Sequence, residues 1–176
     1  MHLAEETLLG SLRYMHILAG ITWIGLLYYF NLVQGQAFGA MEASARQHAT
    51  MHLVPRALFL FRWAAFFTVV FGVAYVLSAG SGVGVTRYWD TGRFYNILIG
   101  GTMGIIMAYN VWFIIWPNQK KIIAATTATV NEGTAAPPEQ PKWARTALLA
   151  SRTNTMLSIP MLFFMVAARN LPSLWA

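Results

Sequence analysis

The sequence predicts an all-α integral membrane protein, a bundle of four transmembrane helices forming one domain over residues 1–176. Two observations carry that expectation. Of the 176 residues, 57% are hydrophobic and only 10% are charged, whereas a soluble domain carries about 25% charged residues. Too few charges remain to coat a water-facing globule. Four apolar stretches also reach the roughly 20 residues needed to cross a hydrocarbon core. None alternates with period 2, and backbone groups in lipid must be satisfied within their own segment, so each reads as a helix.

The first span covers about 8–33, interrupted only by Arg13, His16 and Asn31. The second covers about 58–78, entered through Pro55, a residue suited to a first helical turn, and left through Gly80-Ser81-Gly82. The third covers about 95–116 and is expected to close at Pro117; the fourth covers about 144–168 and is expected to close at Pro172. Residues 41–54 are mildly amphipathic and predict an interfacial helix. Residues 79–94 mix glycines with Arg87, Tyr88, Trp89, Arg93 and Phe94, the composition of an aromatic interface belt. The Thr/Ala/Pro-rich stretch 124–142 has no core-forming pattern and predicts a mobile loop. The N-terminus has neither a basic region nor a small-residue cleavage site, so the first span reads as a retained anchor.

Lys and Arg set orientation. Arg46, Arg56, Lys120, Lys121, Lys142 and Arg145 flank the first and third loops, against Arg13, Arg87, Arg93 and Arg169 on the other side. The excess places those loops in the cytoplasm and both termini in the periplasm of a bacterial inner membrane. The same distribution explains the net charge of +6 without nucleic acid as a partner. The chain has no cysteine, which excludes disulfides, thiolate metal sites and covalent haem attachment. Histidines 48 and 52 have i,i+4 spacing but no further ligands, and no metal site is predicted there.

Ionisable groups at membrane depth are costly and mark function by default. All six acids lie in termini or loops, which weighs against an ion-coupled transporter. His16 lies in the outer half of the first span, and at 100° per residue it shares a stripe with Gly20, Trp23, Leu27 and Gln34. Three readings stand. His16 hydrogen-bonds a neighbouring helix, or it contacts a substrate, or it is the axial ligand of a b-type haem, with Met161 or Met165 of the fourth span as the second ligand and Gly20 leaving room for a flat group. Methionine is equally an ordinary packing residue. In the inner half, Arg62 either snorkels to the headgroups or joins Asn31, Asn110 and Asn154 in a structural polar cluster. Gly100, Gly101 and Gly104 permit close helix contact, and Pro160 is expected to bend the fourth span. On this reading chemistry belongs to the outer half and structure to the inner.

Several strings bear on family. Met15-His16-Ile17-Leu18-Ala19-Gly20-Ile21-Thr22-Trp23-Ile24-Gly25 is followed by Tyr28-Tyr29-Phe30-Asn31. Further on come Val54-Pro55-Arg56-Ala57-Leu58 with Arg62-Trp63, and Asn110-Val111-Trp112 with Ile115-Trp116-Pro117-Asn118-Gln119-Lys120-Lys121. The last are Ser151-Arg152-Thr153-Asn154-Thr155 and Pro160-Met161. Together they resemble the membrane domain of the bacterial urate hydroxylase family, the urate oxidase N-terminal domain. In that family the membrane domain is joined to a cytochrome c domain, and urate is oxidised with electrons passed to cytochrome. This chain resembles a short four-helix version, with no Cys-x-x-Cys-His. Three functions follow as expectations. The first is a subunit of a larger redox membrane complex, structural or haem-carrying, with other integral membrane subunits as partners. The second is a purine-oxidising module that passes electrons to a separate periplasmic cytochrome. The third, a small-solute channel or transporter, suffers from the missing acids.

Overall fold

The computed structural model describes residues 2–81, 88–171 and 174. It contains α-helices with two π-helical interruptions, and no strand occurs among the described residues. Helix α1 (His2–Tyr28) passes through a π segment, Tyr29–Gln34, into α2 (Gly35–Ala40). After a break at Met41 and Glu42, α3 covers Ala43–His52 and α4 covers Val54–Ser81. Helix α5 (Gly92–Tyr109) passes through a second π segment, Asn110–Ile115, into α6 (Trp116–Glu132), and α7 covers Gln140–Asn170. Gly82, Arg87 and Pro172, which the sequence reading placed at span ends, lie outside the described residues.

Among the described residues, three helices are long and apolar enough to cross a membrane: Leu3–Ala40, Val54–Ser81 and Gly92–Glu132. Side-chain pairings give the packing direction. Arg13 meets Tyr75, His16 meets Thr68, and Phe30 meets Phe61, so α1 and α4 run antiparallel. Asn96 meets Leu171, Gly100 meets Met161, and Asn110 meets Asn154, so α5 and α7 do the same. Tyr28 with Ser158 and Asn31 with Ser151 tie α1 to α7, and Arg93 with Tyr75 ties α5 to α4. The four long helices therefore alternate in direction around one core. Trp23, Leu27, Phe61, Met107 and Val111 are fully buried there.

Two expectations change. Pro117 does not end the third span. Its missing donor falls in the first turn after a π segment, where the wider ladder absorbs what would break a regular helix. The stretch expected to be a loop from 124 is helical to Glu132, because Thr, Ala and Val tolerate a helix once it packs on neighbours. It stops at Gly133, whose φ of 70° makes the left-handed cap that terminates helices.

Candidate functional site

At the end of the bundle that carries the N-terminus, called here the terminal end, His16 lies on the seam between α1 and α4. Its Nδ1 is 2.8 Å from the Thr68 carbonyl. A carbonyl only accepts, so Nδ1 carries a proton and donates it to this contact. Nε2 has no hydrogen-bond partner among the described residues. Gly72 makes this seat: a Cβ there would stand 2.9 Å from Nδ1. Gly20 faces the Thr68 methyl. Met161 and Met165 are not brought to His16. They pack on Gly100 across the α5–α7 seam, with Met161 buried and Met165 half-buried.

One turn toward the same end, Arg13 Nη2 and Arg93 Nη2 both donate to the Tyr75 hydroxyl, at 2.9 and 2.6 Å. Arg13 also lies over the Tyr75 ring. Tyr88 and Trp89 pack edge-on against each other and against Phe94, and the Trp89 indole fills the space that a Cβ at Gly80 would need. The Tyr88 phenol is pushed above its ordinary value by burial and by Tyr75, with Arg93 and Arg13 opposing. The sequence pointed to His16 and passed over this cluster, because its four residues come from three segments that only the fold brings together.

The middle of the bundle carries a polar seam. Asn110 donates to Asn154 Oδ1 at 2.8 Å, and Asn154 donates to the Met107 carbonyl at 2.9 Å. Asn31 donates to Ser151 Oγ at 2.7 Å. The Ser158 hydroxyl donates to the Thr155 carbonyl, which leaves Tyr28 as the donor in the Tyr28–Ser158 bond. The Arg62 guanidinium lies 4.1 Å from the Trp116 ring centre, with Trp112, Phe59 and Trp63 also around it. The Arg62 carbonyl accepts from Trp112 Nε1.

Beyond that seam, at the loop end, a cavity of about 470 Å³ opens between the first π segment, α2, α3, α4, α6 and α7. Phe30, Leu58 and Phe61 are among its apolar walls. Asn31, Gln34, Gln47, Gln119 and Gln140 present amides, Thr126 and Ser151 present hydroxyls, and Arg46 is its one charged lining residue. Gln34 Oε1 and Gln140 Oε1 are buried without a partner. The Arg46 guanidinium is held only by a 3.5 Å contact to the Phe38 carbonyl. A cavity of this size suits a small molecule. Sequence reading treated this end as structural; its glutamines lie on four separate segments, and no local motif joins them.

The fold and these sites define a helical membrane protein with a polar interior and two candidate binding regions. The chain belongs to the urate oxidase N-terminal family, whose model matches residues 84–175, just over half of its 176 residues. The match covers α5, α6 and α7, and with them the strings around Asn110, Pro117 and Asn154. Comparison with curated proteins and with solved structures gives no match.

Proposed function

We propose that this chain is a membrane redox module of the urate-hydroxylase type, which holds a planar purine-class anion in the loop-end cavity and passes its electrons to an acceptor on another chain. The amide-lined cavity carries this reading. A purine such as urate presents donors and acceptors around a flat edge together with negative charge. Glutamine and asparagine amides match such an edge with paired donors and acceptors. Arg46 supplies the charge, and no carboxylate lines the cavity. Half of the wall, from Ile115 through Gln119, Thr126 and Gln140 to Ser151, comes from the family-matched segment.

The proposed setting is a bacterial inner membrane with four crossings, the loop end in the cytoplasm, both termini in the periplasm, and other membrane subunits and a periplasmic cytochrome as partners. The fourth crossing is supported by α7 itself. It pairs with α5 along its length, and Met156, Ile159, Phe163 and Val166 form an outward apolar stripe, with Met156 70% exposed.

A second reading, a b-type haem carrier, is favoured by His16. A ring fixed through Nδ1–H to a carbonyl with Nε2 free is the arrangement of a metal-ligating histidine. His16 would hold the iron from one side. Met161 and Met165 sit on another seam, so the second ligand would come from them after rearrangement or from a partner chain.

The test is isothermal titration of urate into the protein in nanodiscs, followed by urate-dependent reduction of added cytochrome c. Gln140→Leu should weaken urate binding about tenfold or more, as expected when a buried polar contact is lost, and Arg46→Gln should weaken it by removing the cation at the cavity rim. Absence of urate binding to the wild type sinks the reading.

A further inference from the structure

Among the described residues, the Arg13–Tyr75–Arg93–Tyr88 cluster contains more donors than acceptors. The Tyr75 oxygen accepts from both guanidiniums, which occupies both of its lone pairs and leaves its own proton to donate. Arg93 Nε and the Tyr88 hydroxyl are buried without a partner. Among the described residues no carboxylate pairs with Arg13 or Arg93. Two cations that share one neutral oxygen repel each other, and buried donors left without an acceptor are destabilising. An oxyanion between them would relieve both terms, since guanidinium and phenol donors bind oxyanions with short, strong hydrogen bonds.

The position indicates which oxyanion. Arg13 lies well inside α1, Tyr75 one to two turns before the end of α4, and Arg93 in the first turn of α5. Tyr88, Trp89, Phe94 and Tyr95 form a chain of ring contacts that begins at the Tyr88 of this cluster. Tyr and Trp gather at the headgroup level of a bilayer. Leu77, Tyr95 and Tyr14 are exposed nearby, at 60%, 43% and 64%, and offer apolar surface to acyl chains. We propose that Arg13, Arg93, Tyr75 and Tyr88 form a binding site for the phosphate of an anionic phospholipid at the terminal end of the bundle. Basic pockets between membrane helices bind lipid headgroups in this way. The site is separate from the loop-end cavity and stands or falls independently of the purine reading.

The experiment is thermal unfolding of the purified full chain in detergent, followed by tryptophan emission, with added phosphatidylglycerol, phosphatidylcholine or inorganic phosphate. Phosphatidylglycerol should raise the wild-type midpoint by several degrees, while the other two move it little. Arg13→Gln and Arg93→Gln should abolish the phosphatidylglycerol shift, and Lys120→Gln, at the opposite end, should keep it. Tyr88→Phe removes one donor with no change of shape, so it tests the site even where an arginine variant fails to fold, and it should reduce lipid affinity several-fold. A midpoint that rises equally with phosphatidylcholine overturns the site. A rise with inorganic phosphate alone overturns the lipid as its source, and loss of the shift in Lys120→Gln assigns the effect to diffuse charge.

Discussion

His16 and Gly72 form a matched pair, because the imidazole occupies the space that any side chain at position 72 would need. Gly72→Val should force the ring off the Thr68 carbonyl and cost about 1–3 kcal/mol, the usual penalty for overpacking. The same substitution in a His16→Ala background should cost much less. A double-mutant cycle by denaturant unfolding measures the difference, and additivity would show that the two residues do not share that space. Tyr88 gives a residue-level pH dependence. Burial raises its phenol above the usual value near 10, so the folded state binds the proton more tightly than the unfolded chain. The stability this contributes is fully present below the unfolded pKa and is lost as pH rises through the folded one. Unfolding midpoints should therefore fall above about pH 10 in the wild type, and fall less in Tyr88→Phe.

Among the elements, the π segments decide where the cavity wall points. Each carries one residue more than regular α-helical register requires, and such segments concentrate at functional sites. Phe30, Asn31 and Gln34 from the first, and Ile115 from the second, line the cavity. Deleting Val33, an exposed residue within Tyr29–Gln34, should return the segment to α-helix, which leaves α2 in phase but re-aims the side chains within the segment. Far-UV circular dichroism should stay unchanged while urate affinity falls at least tenfold; retained affinity would remove the π segment from the site. These segments also mark where the sequence stopped being readable. A constant 100° per residue correctly puts His16, Gly20 and Trp23 on an inward stripe, yet beyond Tyr29 the wheel turns differently, and it does not show that Gln34 lines a cavity at the other end. The spans were legible because lipid demands long apolar runs. The π segments were not, because nothing in Tyr-Phe-Asn-Leu-Val-Gln signals a change of hydrogen-bond register.

For the whole molecule, the number of crossings is the property that one experiment fixes. The chain has no cysteine, so single cysteines introduced at Glu5, Thr134 and Leu171 would each be the sole reactive thiol. With a membrane-impermeant maleimide on intact cells, Glu5→Cys and Leu171→Cys should label and Thr134→Cys should not until the membrane is opened. Labelling of Thr134→Cys and Leu171→Cys from the same side would lay α7 along the surface instead of across the bilayer. The whole-molecule pattern of charge was legible in the sequence, since loops carry it; the cavity was not, since it exists only where the first π segment, α3, α4, α6 and α7 converge. Arg62 lies behind one wall of that cavity, beside Leu58 and Phe61, with its charge held by the faces of Trp116 and Trp112. Arg46 stands at the rim in water. Dissolved ions screen an exposed charge far more than an enclosed one. Raising ionic strength should therefore weaken the attraction for an anion only down to a plateau, and the height of that plateau is the field of a cation held by tryptophan rings.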